Sequence, residues 1–305
     1  MWTAKLTSSQ AAAAATSRSK LQLLFPRAAV VRFLSTTTAD ETTNTVIRPR
    51  PLGHIKIVEV GARDGLQNEK IMVSAKDKIT LIQKLRQAGC SYIEAGAFVS
   101  KKMVPQMATS QQVMEELRIW RQQQTTDTNQ QPLVLSCLTP NVIGYDKAVA
   151  AGTDEVAIFG SASEAFSQKN INCTIEESIQ RFEKVAEKSK EQNVPMRGYV
   201  SCVLGCPYQG DVRPSEVARV AEKLVELGCH EVSLGDTIGI GTPGSTKAML
   251  DAVQYTIDTD MLAVHFHDTF GMAVANILTA IERGITVVDS SVAGLGGCPY
   301  AKGAS

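Results

Sequence analysis

The sequence has no excess of charge of either sign, few aromatic residues and no long apolar run. Lysine plus arginine and aspartate plus glutamate each number 31, so we expect neither nucleic acid nor a membrane surface as a partner. No apolar stretch approaches the roughly 20 residues needed to span a bilayer. Aromatic residues make up 5% and hydrophobic residues 44% of the 305 positions, which is typical of a globular protein with a full core.

Cysteine usage and the first forty residues bear on the cellular compartment. The seven cysteines are odd in number and widely spread, so we expect no disulfide framework and a reducing environment. No acidic residue precedes Asp40, whereas lysine, arginine, alanine, serine and threonine are frequent there. This composition predicts a mitochondrial or plastid transit peptide over residues 1–40, and a disordered tail is the alternative. Residues 41–53 are predicted to be a linker.

From residue 54 onward, short β-branched runs alternate with helical patterns. Eight runs are predicted to be strands: 55–60, 91–97, 133–138, 155–159, 197–201, 231–234, 262–267 and 287–292. A helix-ending glycine recurs before the second, fourth, sixth and eighth strands, so the repeating unit is two βα modules. This pattern favours an α/β fold of the (β/α)8 TIM-barrel type over residues 54–305. A doubly wound sheet is disfavoured, because Gly61-Ala-Arg-Asp-Gly65 lacks the spacing of a phosphate-binding turn.

Two of the four histidines lie in one predicted strand. Strand side chains alternate faces with a period of two, so His265 and His267 must point the same way. Two imidazoles on one face can share a cation, or they can be hydrogen-bonded core histidines. The polar residues at the predicted carboxyl ends of the strands favour the cation, since barrel chemistry lies at that rim. They are Arg63, Asp64, Glu94, Asp236, His265, His267 and Cys298.

Four motifs resemble the hydroxymethylglutaryl-CoA lyases, and more widely the TIM-barrel metal-dependent aldol and Claisen enzymes. They are Val58-Glu-Val-Gly-Ala-Arg-Asp-Gly-Leu-Gln-Asn-Glu-Lys70, Ser201-Cys-Val-Leu-Gly-Cys-Pro-Tyr208, Ser233-Leu-Gly-Asp-Thr-Ile-Gly239 and Ser290-Ser-Val-Ala-Gly-Leu-Gly-Gly-Cys-Pro-Tyr-Ala301. The resemblance runs from about Ile55 to the last residue. It implies cleavage of an acyl-CoA, 3-hydroxy-3-methylglutaryl-CoA, to acetoacetate and acetyl-CoA with Mg²⁺ or Mn²⁺, in the mitochondrial matrix, and it allows for a homodimer.

The resemblance also implies a role for each site residue. Asp64, His265 and His267 would ligate the cation, which would lower the pKa of the substrate hydroxyl. Arg63 would stabilise charge on the thioester side, and Glu94 would orient Arg63 or be purely structural. Asp236 would take the hydroxyl proton, and Cys298 would protonate the departing enolate. Further substrate contacts would come from Gln67, Tyr199 and Ser233.

The sequence departs from the family pattern in two places. Gly96 and Ala97 stand where the lyases carry hydroxyl side chains. The sequence given stops at Ser305, before the family's asparagine ligand and the helix that follows strand 8, which predicts an incomplete barrel with an exposed apolar patch over strands 8 and 1. Two alternatives remain: an acetyl-CoA-dependent condensing synthase of the homocitrate or isopropylmalate type, and an inactive truncated product.

Overall fold

The structure is a computed structural model that describes residues 53–123 and 131–300. Eight strands alternate with α-helices along this part of the chain. The strands are β1 (Lys56–Glu59), β2 (Tyr92–Ala97), β3 (Val134–Leu138), β4 (Glu155–Ser161), β5 (Met196–Ser201), β6 (Glu231–Asp236), β7 (Leu262–Phe266) and β8 (Val287–Ser290). The helices are α1 (Ala75–Gln87), α2 (Ser110–Gln123), α3 (Val142–Ala151), α4 (Glu164–Ile171), α5 (Ile175–Gln192), α6 (Pro214–Glu226), α7 (Pro243–Val253) and α8 (Ala273–Glu282). The predicted transit peptide and all but the last residue of the predicted linker lie outside the described residues.

The strands close into one parallel barrel in chain order. Each strand pairs with the next, and β8 pairs with β1 in the register Lys56 with Val287 to Glu59 with Ser290. The predicted (β/α)8 TIM barrel is therefore confirmed. Each predicted strand corresponds to an observed one, and the bounds differ by at most two residues. The predicted seventh strand includes His267, whereas β7 ends one residue earlier, at Phe266.

Local sequence signals set the starts of three helices. The Ser74 side chain accepts the amide hydrogen of Asp77 at the start of α1. Thr174 and Glu177 form a complete capping box before α5, and Pro214 occupies the first turn of α6, where its missing amide hydrogen has no cost. The caps of α1 and α6 mark where the loops that leave β1 and β5 at the carboxyl mouth end, whereas α5 follows α4.

Most of the outward-facing strand residues are apolar, and several inward-facing ones are polar. Outward residues such as Val232, Leu234 and Val264 join the helices in the main core. The buried inward positions include Arg197, Tyr199, Ser233 and Asp289. Arg197 in β5 forms an ion pair with Asp289 in β8, and these strands are not neighbours in the sheet, so the pair crosses the interior of the barrel. The barrel interior thus contains a buried ion pair below the carboxyl rim.

The outer face of the seam between β8 and β1 is unevenly covered. Between β8 and Tyr300 the described chain forms a 3₁₀ turn, Val292–Gly294, and no α-helix. Ile57 on the outer face of β1 is 45% exposed, whereas Val288 of β8 is buried. The predicted apolar patch over both strands is therefore limited to β1. Among the described helices, none is long and apolar enough to cross a membrane.

Candidate active site

A wide helical turn after β1 brings two charged residues to the carboxyl mouth of the barrel. Residues Gly61–Gly65 form a single π-helical turn, in which the amide of Gly65 donates to the carbonyl of Val60. The Glu59 carboxylate accepts hydrogen bonds from the amides of Gly61 and Val292, which ties the turn to the loop after β8. A Cβ atom on Gly65 would overlap the carbonyl oxygen of Leu295. Glycine is therefore required where these two loops meet.

Arg63 is held in this turn by two carboxylates. Its Nη2 lies 2.6 Å from Oε2 of Glu94, and its Nη1 lies 2.6 Å from Oδ1 of Asp64. Arg63 is 6% exposed and Glu94 is fully buried. Burial alone would lower the pKa of Arg63, but Glu94 and Asp64 outweigh it and raise that pKa, so the guanidinium stays charged. The pairing of Glu94 with Arg63 that the sequence predicts is present in the structure.

His265 and His267 meet at the end of β7, with their Nε2 atoms 3.3 Å apart. The Nδ1 of His267 lies 2.8 Å from the carbonyl oxygen of Thr237, and the Nδ1 of His265 lies 3.0 Å from Oδ2 of Asp289. Both partners are acceptors, so in the neutral imidazoles each Nδ1 carries the hydrogen and each Nε2 has a free lone pair. Oδ2 of Asp64 lies 3.5 Å from Nε2 of His265. Three electron-rich atoms thus converge.

This donor set fits a divalent cation. The ligand atoms of Asp64, His265 and His267 all lie within 4.8 Å of one another. Two bare imidazole nitrogens and a carboxylate oxygen repel one another unless a proton or a cation lies between them. Burial raises the pKa of Asp64, but Arg63 and His265 outweigh it and lower that pKa, so the carboxylate is ionised. The three residues could therefore hold Mg²⁺ or Mn²⁺ and leave positions for substrate oxygens.

Two charged residues in the barrel interior, Asp289 and Arg197, were not predicted from the sequence as part of the site. Asp289 accepts hydrogen bonds from His265, from the Ser233 hydroxyl and, through both of its oxygens, from Arg197. Burial would raise the pKa of Asp289, but Arg197 outweighs it and holds that pKa well below its usual range. Each is a charged residue in a predicted strand, and this could have identified them, because a charge buried inside a barrel must have a partner there.

Three of the predicted substrate contacts lie at different depths. Ser233 is fully buried and donates to Oδ2 of Asp289. The Tyr199 hydroxyl accepts a hydrogen bond from Arg197, and its ring centroid lies 6.3 Å from that of His265 and 5.7 Å from Cζ of Arg63. Gln67 follows the π-helical turn and is half-buried. The structure brings Tyr199 to the candidate ligands, whereas Ser233 reaches them through Asp289.

The Asp236 carboxylate is hydrogen-bonded to the loop that follows it. It is fully buried at the end of β6, and its two oxygens accept the amide hydrogens of Gly239 and Gly241 at 3.0 and 2.8 Å. Burial raises the pKa of Asp236, and the amides of the same loop oppose that effect only in part. Its carboxylate is thus turned toward its own loop, and its assignment as the base for the hydroxyl proton stays a prediction.

Cys298 lies in the glycine-rich loop that follows β8. In this loop a Cβ atom on Gly296 would overlap Cα of Gly65, and Asn68 donates to the carbonyl of Gly297 at 2.5 Å. A cavity of about 270 Å³ is lined by the candidate metal ligands and by Gly297. The loop thus packs on the π-helical turn and brings Cys298 next to a residue of the cavity wall. The catalytic role of the thiol stays a prediction.

Comparisons with known proteins agree with this geometry. The family model HMGL-like matches residues 54–301. The cytoplasmic 3-hydroxy-3-methylglutaryl-CoA lyase of Mus musculus is 56% identical over 83% of this chain and 71% of its own length. The mitochondrial hydroxymethylglutaryl-CoA lyase of Arabidopsis thaliana is 57% identical over 82% of this chain and 52% of its own length.

Solved structures show the same similarity. The hydroxymethylglutaryl-CoA lyase of Pseudomonas aeruginosa matches with a TM-score of 0.77 and 52% identity, over 83% of this chain and 81% of that one. An HMG-CoA lyase of Acinetobacter baumannii, solved in complex with coenzyme A and 3-methylmalate, matches with a TM-score of 0.74 and 34% identity, over 83% and 79% of the two chains. With its closed barrel and the family match over most of its length, the chain belongs to the HMGL-like family.

Proposed function

We propose that the chain is a lyase that cleaves 3-hydroxy-3-methylglutaryl-CoA to acetyl-CoA and acetoacetate. The observation that carries the proposal is the convergence of Asp64, His265 and His267 beside the buried Arg63 at the carboxyl mouth of the barrel. In the reaction the C3 hydroxyl loses its proton and the bond between C2 and C3 breaks. C3 becomes the ketone of acetoacetate, and C2 keeps the electron pair and takes a proton to become the methyl group of acetyl-CoA.

The side chains at the rim suit this chemistry. A divalent cation bound by Asp64, His265 and His267 supplies a Lewis acid that makes the substrate hydroxyl more acidic. Arg63 stabilises the negative charge that develops on the thioester oxygen, and Glu94 holds the guanidinium in place from a fully buried position. The charge on Arg63 is fixed before substrate arrives, so it needs little reorganisation as the bond breaks.

The loop after β8 supplies the proton for C2 in this proposal. Cys298 is half-buried in that loop, and its thiol donates the proton to the departing enolate. The loop is fixed against the turn that carries Arg63, because Gly296 packs on Gly65. The positions of Cys298 and Arg63 relative to each other are therefore set by a contact between backbones rather than between long side chains.

The test is acetoacetate release by the purified chain. We expect turnover with Mg²⁺ or Mn²⁺ that a chelator abolishes and that His265→Ala removes. The matched control is His230→Ala, because His230 pairs with Glu155 at the amino end of β6 and lies outside the candidate ligand set. No acetoacetate under any metal condition would overturn the proposal and favour an inactive product. Formation of a condensation product from acetyl-CoA and an oxo acid would instead favour a synthase.

The proposed substrate and location follow from the relatives. One structural relative was solved with coenzyme A, which supports an acyl-CoA substrate here. Similar relatives are named mitochondrial in some cases and cytoplasmic in others. We assign this chain to the mitochondrial matrix because of the composition of residues 1–40. Import of a fluorescent fusion that carries these residues, with a fusion that lacks them as control, tests the location. Light scattering of the purified chain tests the homodimer.

A further inference from the structure

Asp289 joins the candidate metal ligands to the charged interior of the barrel. Its Oδ2 lies 3.0 Å from Nδ1 of His265 and accepts the Ser233 hydroxyl at 2.9 Å. Its Oδ1 accepts from Nη2 of Arg197 at 2.7 Å. Asp289 is 7% exposed, and its side chain is fully buried. Each of these contacts of the carboxylate is with a donor, so its geometry is determined from several sides.

Arg197 is in turn fixed by the strand on its other side. Its Nε lies 2.7 Å from Oε1 of Glu231. At the amino mouth of the barrel, Nζ of Lys56 lies 3.1 Å from Oε2 of the same glutamate. A buried arginine with two carboxylates cannot rotate without leaving one of them unpaired. Asp289 is thus held ionised and oriented by a chain of groups that begins at the opposite end of the barrel.

We infer that Asp289, oriented by Arg197, is the positioning residue that fixes His265 in the tautomer with hydrogen on Nδ1 and so presents a bare Nε2 to a divalent cation. The inference rests on the proposed function for the identity of the bound group only. The tautomer is a property of the chain itself. His267 obtains the same tautomer from a backbone carbonyl, that of Thr237. The two histidines therefore depend on different partners for the same result.

The variant Asp289→Asn separates these two dependences. An amide has one acceptor and one donor end. Arg197 donates to Oδ1 of Asp289 at 2.7 Å and to Oδ2 at only 3.3 Å, so we expect the amide oxygen to take the place of Oδ1. The amino group of the new amide would then face Nδ1 of His265, which would have to accept, so the hydrogen would move to Nε2 and block the ligand position. A carboxylate that orients a ligating histidine is worth about 10- to 100-fold in metal affinity. We expect Mn²⁺ affinity to fall by about this factor.

The experiment reads the tautomers directly in the metal-free protein at alkaline pH, by long-range proton–nitrogen correlation spectra of the imidazoles. The sequence has four histidines, so each pattern can be assigned by single substitution. We expect hydrogen on Nδ1 for both His265 and His267 in the unaltered chain. In Asp289→Asn only the His265 pattern should change to Nε2. Calorimetric titration with Mn²⁺ accompanies both spectra.

Glu231→Gln is the matched control, because it also removes a buried carboxylate from Arg197 but touches neither of these two histidines. Both variants should lower the melting temperature, and only Asp289→Asn should lower Mn²⁺ affinity. Hydrogen on Nε2 of His265 in the unaltered chain, or an unchanged His265 pattern in Asp289→Asn, would overturn the inference. Spectra as expected with no Mn²⁺ binding by the unaltered chain would uphold the tautomer and count against the proposed function instead.

Discussion

Replacement of Arg197 by methionine should destabilise the barrel strongly. The arginine side chain is 1% exposed and lies 2.7 Å from both Glu231 and Asp289, and it also donates to the Tyr199 hydroxyl at 2.7 Å. Methionine keeps most of the buried apolar stem and removes the charge. Two buried carboxylates then lose their shared partner, which is the costly way to break a buried ion pair.

The magnitude follows from what each carboxylate keeps. Removal of one partner from a buried pair typically costs about 3 to 5 kcal/mol. Glu231 keeps Lys56 at 3.1 Å, and Asp289 keeps His265 and Ser233, so the cost should lie toward the lower end, at about 3 to 4 kcal/mol. For a domain of this size each kcal/mol shifts the melting temperature by about 2 to 4 °C. We therefore expect a loss of about 6 to 16 °C.

The assay is thermal unfolding of Arg197→Met beside Arg219→Met. Arg219 pairs with Glu216 at 3.1 Å on the surface of α6, with side chains 41% and 32% exposed. A pair in this setting contributes about 0 to 1 kcal/mol, because solvent screens it. The two substitutions make the same chemical change, so their difference isolates burial. If Arg197→Met lost no more stability than Arg219→Met, the charges inside the barrel would not need each other and the reasoning would be refuted.

Three further predictions concern the rim. Cys298→Ser should keep Mn²⁺ affinity and melting temperature while kcat falls by about two orders of magnitude, and normal turnover would move the acid role elsewhere. Gly296→Ala should lower kcat and destabilise the loop, because Gly296 has φ +107° and its Cβ would overlap Cα of Gly65; steady-state kcat and urea midpoints check this. Burial lowers the pKa of His265, but Asp289 outweighs it and raises that pKa. The protonated imidazole therefore stabilises the fold fully below about pH 6.5, and this contribution is lost as the pH rises through the raised pKa. Mn²⁺ competes with that proton, so calorimetric Mn²⁺ affinity should rise over the same window, and a flat pH profile would contradict this.

The fold, and the position of the three candidate metal ligands on one rim, were accessible from the sequence because they depend on strand periodicity and strand order. The alternation of strand residues placed His265 and His267 on one face, and the order of strands placed Asp64 on the same rim. Closure of the barrel then left little freedom in the distances among them. The pairing of Arg63 with Glu94 was implied by the resemblance, and the fold accounts for it, since Arg63 follows β1 and Glu94 lies in the neighbouring β2.

The interior contacts could not be predicted in this way. Arg197 and Asp289 are separated by 92 positions and lie on strands that do not pair, so only the diameter and stagger of the closed barrel bring them together. The orientation of Asp236 was also missed. Its position at the rim was predicted correctly. The loop that follows β6, however, folds back so that the amides of Gly239 and Gly241 donate to the Asp236 carboxylate. Strand and helix periodicity cannot predict such a loop conformation.

The order in which the donor set is synthesised has a consequence for how the protein matures. Asp64 belongs to the turn after the first strand and the two histidines belong to the end of the seventh, so the set is separated by about 200 residues of chain. A ribosome would release the first donor long before the other two, and a cation could not be captured until nearly the whole barrel had emerged. Cation capture would then mark the end of folding rather than its beginning. The bound cation would also link the turn after β1 to the end of β7, and so favour the closed barrel over the unfolded chain by mass action.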